Sequence, residues 1–256
     1  DLGYKTSWKV FDSLEFGLPQ SRKRIFIVGT KDEKIDLDGN EPQFKALESV
    51  LEKGLPTLKS DFIDKLLSHF SLEDLYGKSI KDKRGGDNNI HSWDIEIKGS
   101  VSKQQAEILN QLFKQRRKKQ WAEEIGIDWM DGMALTLEQI NTFIDLPKKE
   151  LKTLLDDLTS KGYLKLEHPK KLVKIQTENG VATSREYDET KPKGYNIVTG
   201  KLSFEVNKVL DPKDIAPTLV ATDVSRLAVP DGNGLRRLTI REGLRLFGYP
   251  EWYEIP

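Results

Sequence analysis

One stretch near the amino end, FGLPQSRKRIFIVG over residues 16–29, constrains the fold more than any other part of the chain. Gly-Leu-Pro is turn chemistry, a polar run with Arg22, Lys23 and Arg24 follows, and Ile25 to Val28 is apolar and β-branched, as strands are. Upstream, Tyr4 to Phe11 carries aromatic and β-branched residues, and Asp12 to Pro19 supplies a break. The opening of the chain therefore reads as two strands joined by a turn. Arg24 to Thr30 is near-continuously apolar, the pattern of a strand buried on both faces. Arg22 and Arg24, two residues apart at the strand's entry, would project to one side. Their planar forks suit phosphates or base edges. On spacing alone, solvated charge at a strand start is the favoured reading and recognition the alternative.

Composition sets the outer bounds. The chain has 256 residues, enough for one large or two small domains. Lys+Arg 41 balances Asp+Glu 41. A neutral total argues against nonspecific packaging of nucleic acid while leaving room for a local basic cleft. No cysteine is present, so a disulfide framework and thiolate zinc sites are excluded, and a reducing cytoplasm is the expected setting. No apolar run is long enough to span a bilayer and nothing at the start resembles a signal peptide, so no membrane partner is expected. His69, His91 and His168 lie far apart without ligand-like spacing, and no metal site is expected.

Along the chain, KDEKIDLDGNEP (31–42) is a polar, turn-rich linker. Phe44 to Lys53 has helical spacing with Gly54 as a stop, and Phe62 to Phe70 repeats it weakly. Residues 78–89 read as a mobile loop, whose Lys81, Lys83 and Arg84 either meet phosphates or form an uneventful surface. Ser102 and Gln105 make a capping box for a helix with Ala106, Ile108, Leu109, Leu112 and Phe113 on its apolar stripe. That helix ends in KQRRKKQ, residues 114–120. The helix dipole favours such cations by about 0.3–1 kcal/mol each, a sufficient structural account. Arg116, Arg117 and Lys118 equally suit a phosphate-tracking surface.

Thr136 and Gln139 form another capping box, for a helix holding Ile140 and Phe143. Asp145 is the expected cap of a second helix with Pro147 in its first turn. Leu151, Leu154, Leu155 and Leu158 form its apolar face, Gly162 ends it, and Tyr163 to Leu166 begins a strand. Helix, turn, helix and β wing outline a winged helix, which gives a rival reading: a noncatalytic DNA-binding regulator. Asp156 and Asp157 would oppose phosphates in a groove, so a packing module within a larger recognition domain fits better. Alternation in YNIVTGKLSFEV and PTLVATDVSRLAV suggests strands of a small sheet, with a hairpin turn or bulge at Gly200. Residues 229–237 read as a loop leading into a helix from Thr239 to Phe247.

Three segments carry a family resemblance. Gln20, Arg22 and Arg24 match the Gln-x-Arg-x-Arg motif of the C5-cytosine DNA methyltransferases, in its setting of Gly-x-Pro before and Ile-x-Ile-Val-Gly after. RRLTIREGLRLFGYP, Arg236 to Pro250, is similar to the late family block Arg-x-Leu-Thr-x-Arg-Glu-x-x-Arg-Leu-x-Gly-Phe-Pro, with Tyr249 in place of Phe. APTL, Ala216 to Leu219, resembles the Pro-Thr-Leu that often precedes that block. The motifs occur in the family's order.

The resemblance implies a mixed α+β, or α/β, architecture: the final strands of a Rossmann-like methyltransferase sheet, joined to a small α+β target-recognition domain with a helical hairpin insertion. Residues 1–35 would be strands of the catalytic domain, 36–235 the recognition domain, and 236–256 a helix returning to the catalytic domain. The strand pair would then finish a larger sheet, and in isolation its inner face would be bare. Arg24, with Arg22, would hold an extruded cytosine through its O2 or a flanking phosphate, and Gln20 would shape the same pocket. Contacts to double-stranded DNA are expected at Thr218, Asp223, Ser225 and Arg226, with backbone contacts at Arg116, Arg117, Lys118 and Arg84. Arg236, Arg237, Arg241 and Glu242 would fasten the two domains together. The family adds a cysteine thiolate to C6 of cytosine and takes methyl from S-adenosylmethionine. Here there is no Pro-Cys, no Glu-Asn-Val and no glycine-rich loop for that donor, and the Gly-Asn-x-Val block is not reached. The chain, beginning at Asp1 and ending at Pro256, is expected to be the carboxyl-terminal portion of a bacterial or phage-encoded methyltransferase. It would be inactive alone, its partner an amino-terminal catalytic half in the same protein or a separate subunit.

Overall fold

The computed structural model describes residues 3–39, 41–82, 86–177, 180–199, 204–222 and 224–255. Lys83, Arg84, Gly200 and Asp223, singled out above, lie outside them. The protein is mixed α/β. In chain order it begins with β1 (Lys5–Asp12), β2 (Lys23–Thr30), α1 (Asp61–His69), α2 (Leu72–Leu75), β3 (Ser79–Ile80) and β4 (Asn89–Ile90). Next come α3 (Lys103–Gln115), α4 (Gln120–Ile125), α5 (Leu137–Asn141), α6 (Lys148–Ser160) and β5 (Leu164–Glu167). The remainder is β6 (Lys170–Thr177), β7 (Gly180–Tyr187), β8 (Gly194–Ile197), β9 (Lys208–Val209), β10 (Leu227–Asp231), β11 (Gly234–Arg237) and α7 (Ile240–Leu246). The chain forms two compact units: Asp1–Ser79 with Phe204–Pro256, and Ile80–Ser203.

In the first unit β1 and β2 form the expected antiparallel pair, in register from Lys5 opposite Thr30 to Asp12 opposite Lys23. Trp8, Val10, Ile25 and Ile27 share one face, and all four are exposed. The expectation that β2 is buried on both faces thus fails within this chain. A strand is buried twice only when layers cover it, and among the described residues β2 hydrogen-bonds to β1 alone. The other face is partly covered by the 34–38 segment, which accepts from Ser7 Oγ at Ile35 O and pairs Asp38 with Lys9 at 2.8 Å.

The unit's core joins Leu47, Leu210, Ala216, Leu219, Leu227, Val229 and Leu246. The helix expected over 44–53 is reduced to one 3-10 turn, Leu47–Ser49. Leu47 N–H donates to Asp214 O and Glu48 N–H to Pro212 O, both at 2.8 Å, so tertiary pairing takes donors that a helix would use. Residues 229–237, expected as a loop, belong to the β10–β11 hairpin, which turns at Gly232 with φ +55°. The Asp-Gly signal between apolar runs was there to be read. Strand spacing over 217–226 is not realised; that stretch holds only a 3-10 turn at Val224–Arg226. β10 runs parallel to β9, and β9 pairs antiparallel with β3 through Lys208 opposite Ser79. The 78–89 loop is therefore shorter than expected, bounded by β3 and β4.

The second unit is built on α3 and α6, whose buried Ile108, Leu109, Leu112 and Phe113 share a core with Leu151, Leu155 and Leu158. Both expected capping boxes form, Ser102 with Gln105 and Thr136 with Gln139. The Asp145 cap does not. α6 starts at Lys148 with Pro147 as N-cap and no side-chain hydrogen bond there, because a residue preceding proline is held out of the helical region. β5 pairs antiparallel with β8, and Leu135 bridges Tyr195 of β8. β6 and β7 form a separate two-stranded ribbon.

Candidate nucleic-acid interface

Two of the motifs, far apart in sequence, meet in the first unit. Gln20 forms a parallel bridge with Ala216, Ser21 N–H donates to Ala216 O at 3.1 Å, and Ala216 N–H donates to Pro19 O at 2.8 Å. Thr218 Oγ1 donates to Ser21 O. The third motif closes over the same place. Gly248, just past α7, has φ +79°, and a Cβ there would stand 3.2 Å from Leu18. The Arg22 guanidinium lies over the Phe247 ring at 5.7 Å, a cation–π distance.

Within this junction Gln20 is 1% exposed, and among the described residues neither amide atom has a hydrogen-bond partner. A buried amide left unmade costs about 1–3 kcal/mol, so such a group marks a position where a partner from elsewhere is wanted. Arg22 is half-buried, and its backbone N–H donates to Asp12 Oδ1 at 3.1 Å. Arg24 is exposed, opposite Phe11 in the ribbon register. Its Nη1 donates to Lys23 O at 2.6 Å, and no other side-chain bond is made by Arg24 among the described residues. The two arginines are thus brought to one corner with different surroundings, one braced on α7 and one open. Ser21 and Phe247 complete the corner. Sequence reasoning had not singled them out, since neither carries charge.

α7 is anchored by a buried ion network. Arg236, 2% exposed, donates from Nη1 and Nη2 to both carboxylate oxygens of Glu242 at 2.8 and 2.6 Å, and from Nε to Asp231 at 2.8 Å. Nη2 also donates to Glu52 O at 2.6 Å. Glu242, fully buried, further accepts from the N–H groups of Glu52 at 2.7 Å and Thr239 at 2.8 Å. Burial alone would raise the Glu242 carboxyl. The Arg236 fork and those N–H groups outweigh it and hold the carboxyl below its ordinary range. Arg236 is needed also by Asp231, whose carboxyl it lowers. Arg241 donates to Tyr253 O at 2.9 Å. Arg237 Nη1 is buried without a partner among the described residues. Within the unit, Arg236 and Glu242 therefore fasten α7 to the hairpin and to the 52–55 segment. Ser225 is exposed and Arg226 half-buried beside β10.

In the second unit the basic run after α3 divides. Arg116 is buried, donating from Nη1 to Asn196 Oδ1 at 2.6 Å and Ile197 O at 3.3 Å. Burial, then the neighbouring Arg117 charge, pulls its pKa down to about 10. Gly132 is required beside it: φ is +80°, and a Cβ would stand 2.6 Å from Arg116 Nη2. Arg116 is thus not on the solvent-facing surface that its place in a basic run suggested, because Asn196 and the Ile197 carbonyl turn it inward. Arg117 reaches toward Asp131 at 3.6 Å, and Lys118 is exposed.

No group of three or more His, Cys, Asp or Glu side chains suited to a metal occurs among the described residues. His91 is a packing residue, stacked on Trp93 at 4.4 Å and bonded to Asp94 at 3.0 Å. The methyl donor implied by the resemblance finds no fitting site among the described residues either. The roomiest described cavity, about 540 Å³, is lined by Thr6 to Lys9 and Lys34 to Asp38, a strand and a polar linker. It lacks a glycine-rich strand-to-helix turn of the sort that cradles nucleotide-like ligands. No helix among the described residues is long and apolar enough to cross a membrane.

Compared with known proteins, residues 1–256 match the family described as C-5 cytosine-specific DNA methylase. The Type II methyltransferase M.NlaIV of Neisseria lactamica is 57% identical over 252 residues, covering 98% of this chain and 57% of its own length. The Type II methyltransferase M.NgoBV of Neisseria gonorrhoeae is 56% identical over 252 residues, with the same 98% and 57% coverage. The Type II methyltransferase M.BanI of Aneurinibacillus aneurinilyticus is 34% identical over 278 residues, again 98% of this chain and 57% of its own length. The chain therefore spans well under two thirds of these relatives. No solved structure matches it.

Proposed function

The chain belongs to the C-5 cytosine-specific DNA methylase family, and from that premise we propose that it is the target-recognising, carboxyl-terminal portion of a DNA (cytosine-5)-methyltransferase of a restriction-modification system. The carrying observation is the junction of Gln20 with Ala216 and of Ser21 with Thr218, which brings Gln-x-Arg-x-Arg beside Pro-Thr-Leu. On this reading residues 1–35 complete the catalytic sheet, 36–235 recognise DNA, and 236–256 tie the two together.

A cytosine inside a duplex is shielded by stacking and must be extruded before its C6 can be attacked. Arg24, with an open fork, donates to O2 of the extruded base, and Arg22, braced on Phe247, holds its position or a flanking phosphate. A guanidinium at O2 opposes the negative charge that grows on the ring as a nucleophile adds, an electrostatic effect present before reaction. The Gln20 amide, buried and unpartnered, takes its bonds from the completed pocket. Thr218, Ser225 and Arg226 contact DNA beside it, as do Arg117 and Lys118 on the phosphate backbone. The nucleophilic sulfur comes from outside a chain with Cys 0. S-adenosylmethionine supplies the methyl group in the complete enzyme, and no step of its transfer is drawn from residues that do not fit it.

Mixing the chain with an amino-terminal segment that bears Pro-Cys and Glu-Asn-Val tests this reading. Transfer of labelled methyl to duplex DNA is expected from the mixture and from neither part alone. A second reading, the noncatalytic DNA-binding regulator, draws support from α5, α6 and the β6–β7 ribbon following one another. It requires tight duplex binding by the chain unaided and no transfer with any catalytic segment.

A further inference from the structure

The β6–β7 ribbon has two unlike faces. It is in register from Lys170 opposite Tyr187 to Thr177 opposite Gly180. Directly opposed residues share a face and alternate residues do not. One face therefore carries Lys170, Leu172, Lys174 and Gln176 against Tyr187, Arg185, Thr183 and Val181. Three are cations and none is an acid. The opposite face offers Lys171 and Glu186, which cancel. Leu172, Val181 and Tyr187 are exposed as well, and the ribbon hydrogen-bonds to no third strand among the described residues. A ribbon of this length is marginal alone, and an open, partly apolar edge invites pairing unless something else occupies it.

The ribbon's root adds a second observation. A cleft of about 180 Å³ within the same unit is lined by Arg116, Lys165, His168, Lys170 and Arg185, with Glu167 and Asp131. The Glu167 carboxylate is already engaged, by Lys165 at 2.6 Å, Tyr187 OH at 2.8 Å and Asn196 at 2.6 Å. Arg116 Nε, in a side chain more than nine-tenths buried, has no partner among the described residues. Cations thus gather at the root, while Gln176 and Thr183, able to donate and accept, lie toward the tip.

We propose that the β6–β7 ribbon enters the major groove of duplex DNA, with Lys170, Arg185 and the root cleft on the phosphate backbone and Lys174, Gln176 and Thr183 facing base edges. The groove admits a two-stranded ribbon, and it carries the donor and acceptor pattern that such side chains read. This rests on the proposed function and names the element through which recognition acts.

Binding of the 256-residue chain to a random-sequence duplex, followed by anisotropy across a salt series, tests it. Lys174→Ala with Arg185→Ala is expected to weaken binding about tenfold or more and to lower the salt slope by about one for each cation removed. Lys171→Ala, from the opposite face, is expected to change neither. A duplex with glucosylated hydroxymethylcytosine, whose sugars fill the major groove, is expected to bind poorly, while netropsin in the minor groove leaves binding intact. Unchanged affinity in the double variant, an equal loss in Lys171→Ala, or full binding to the glucosylated duplex overturns the proposal. So does a double variant that changes oligomeric state alone, which assigns the ribbon to contacts between copies. If the wild-type mixture transfers no methyl but ribbon-dependent binding persists, the parent reading fails and the ribbon contact stands. If transfer succeeds and the ribbon variants bind like wild type, only the ribbon inference fails.

Discussion

Glu242 and Arg236 show how much a single residue can hold. Both are buried, and every ionic oxygen and nitrogen of the pair has a protein partner. Glu242→Ala leaves a buried guanidinium half-satisfied and is expected to cost about 3–5 kcal/mol, read from a urea midpoint. Acid should act on the same groups. The carboxyls of Glu242 and Asp231 are held below their ordinary values of 4.5 and 3.8, so both are ionised in folded and unfolded chain at neutral pH and their stabilisation is complete there. As pH falls through those ordinary values the unfolded chain binds protons first, and stability drops until the folded carboxyls are protonated too. Tm should therefore fall between about pH 6 and about pH 3, and Glu242→Gln should flatten the curve. Arg24 belongs to the opposite class, exposed and lightly bonded. Arg24→Ala should leave Tm unchanged while lowering kcat of the reassembled enzyme by about 10²–10³, the loss seen for one preorganised donor. Activity near wild type would remove Arg24 from the pocket. The sequence made the importance of Arg236 and Glu242 legible through their motif, but not Asp231 or the 52–55 backbone, which reach them only through tertiary structure.

Elements were legible where their signals are local. The capping boxes at Ser102, Thr136 and Thr239 mark the starts of α3, α5 and α7, because the bonds that close them span three residues. Thr239→Ala should cost about 1 kcal/mol, measured by thermal unfolding. The 44–53 segment misled because its backbone donors are taken by residues 212–214, a pairing no local window contains. On α6 the apolar face was foreseen, but its members are not equal: Leu155 is fully buried and Leu154 only partly. Leu155→Ala should therefore cost about 2–5 kcal/mol and Leu154→Ala less, and equal losses would show that the helix faces its core differently. The ribbon's charge was missed because its meaning lies in cross-strand register, while the eye follows the basic run after α3.

At the scale of the molecule, each unit has its own core, and one surface stands uncovered. Trp8, Val10, Ile25 and Ile27 present an apolar face of the kind soluble chains rarely leave bare. Trp8→Ser is expected to reduce light scattering by the isolated chain without lowering Tm, and scattering that does not change would deny that face a part in self-association. The other consequence concerns ancestry. Ser79 stands opposite Lys208, so the polypeptide departs from the first unit and rejoins it on adjoining strands. A guest whose two tethers are neighbours makes few demands on its host. Segments between such tethers can drift, or be traded between lineages, while the flanking framework is inherited intact, and one scaffold can come to read many different words of DNA.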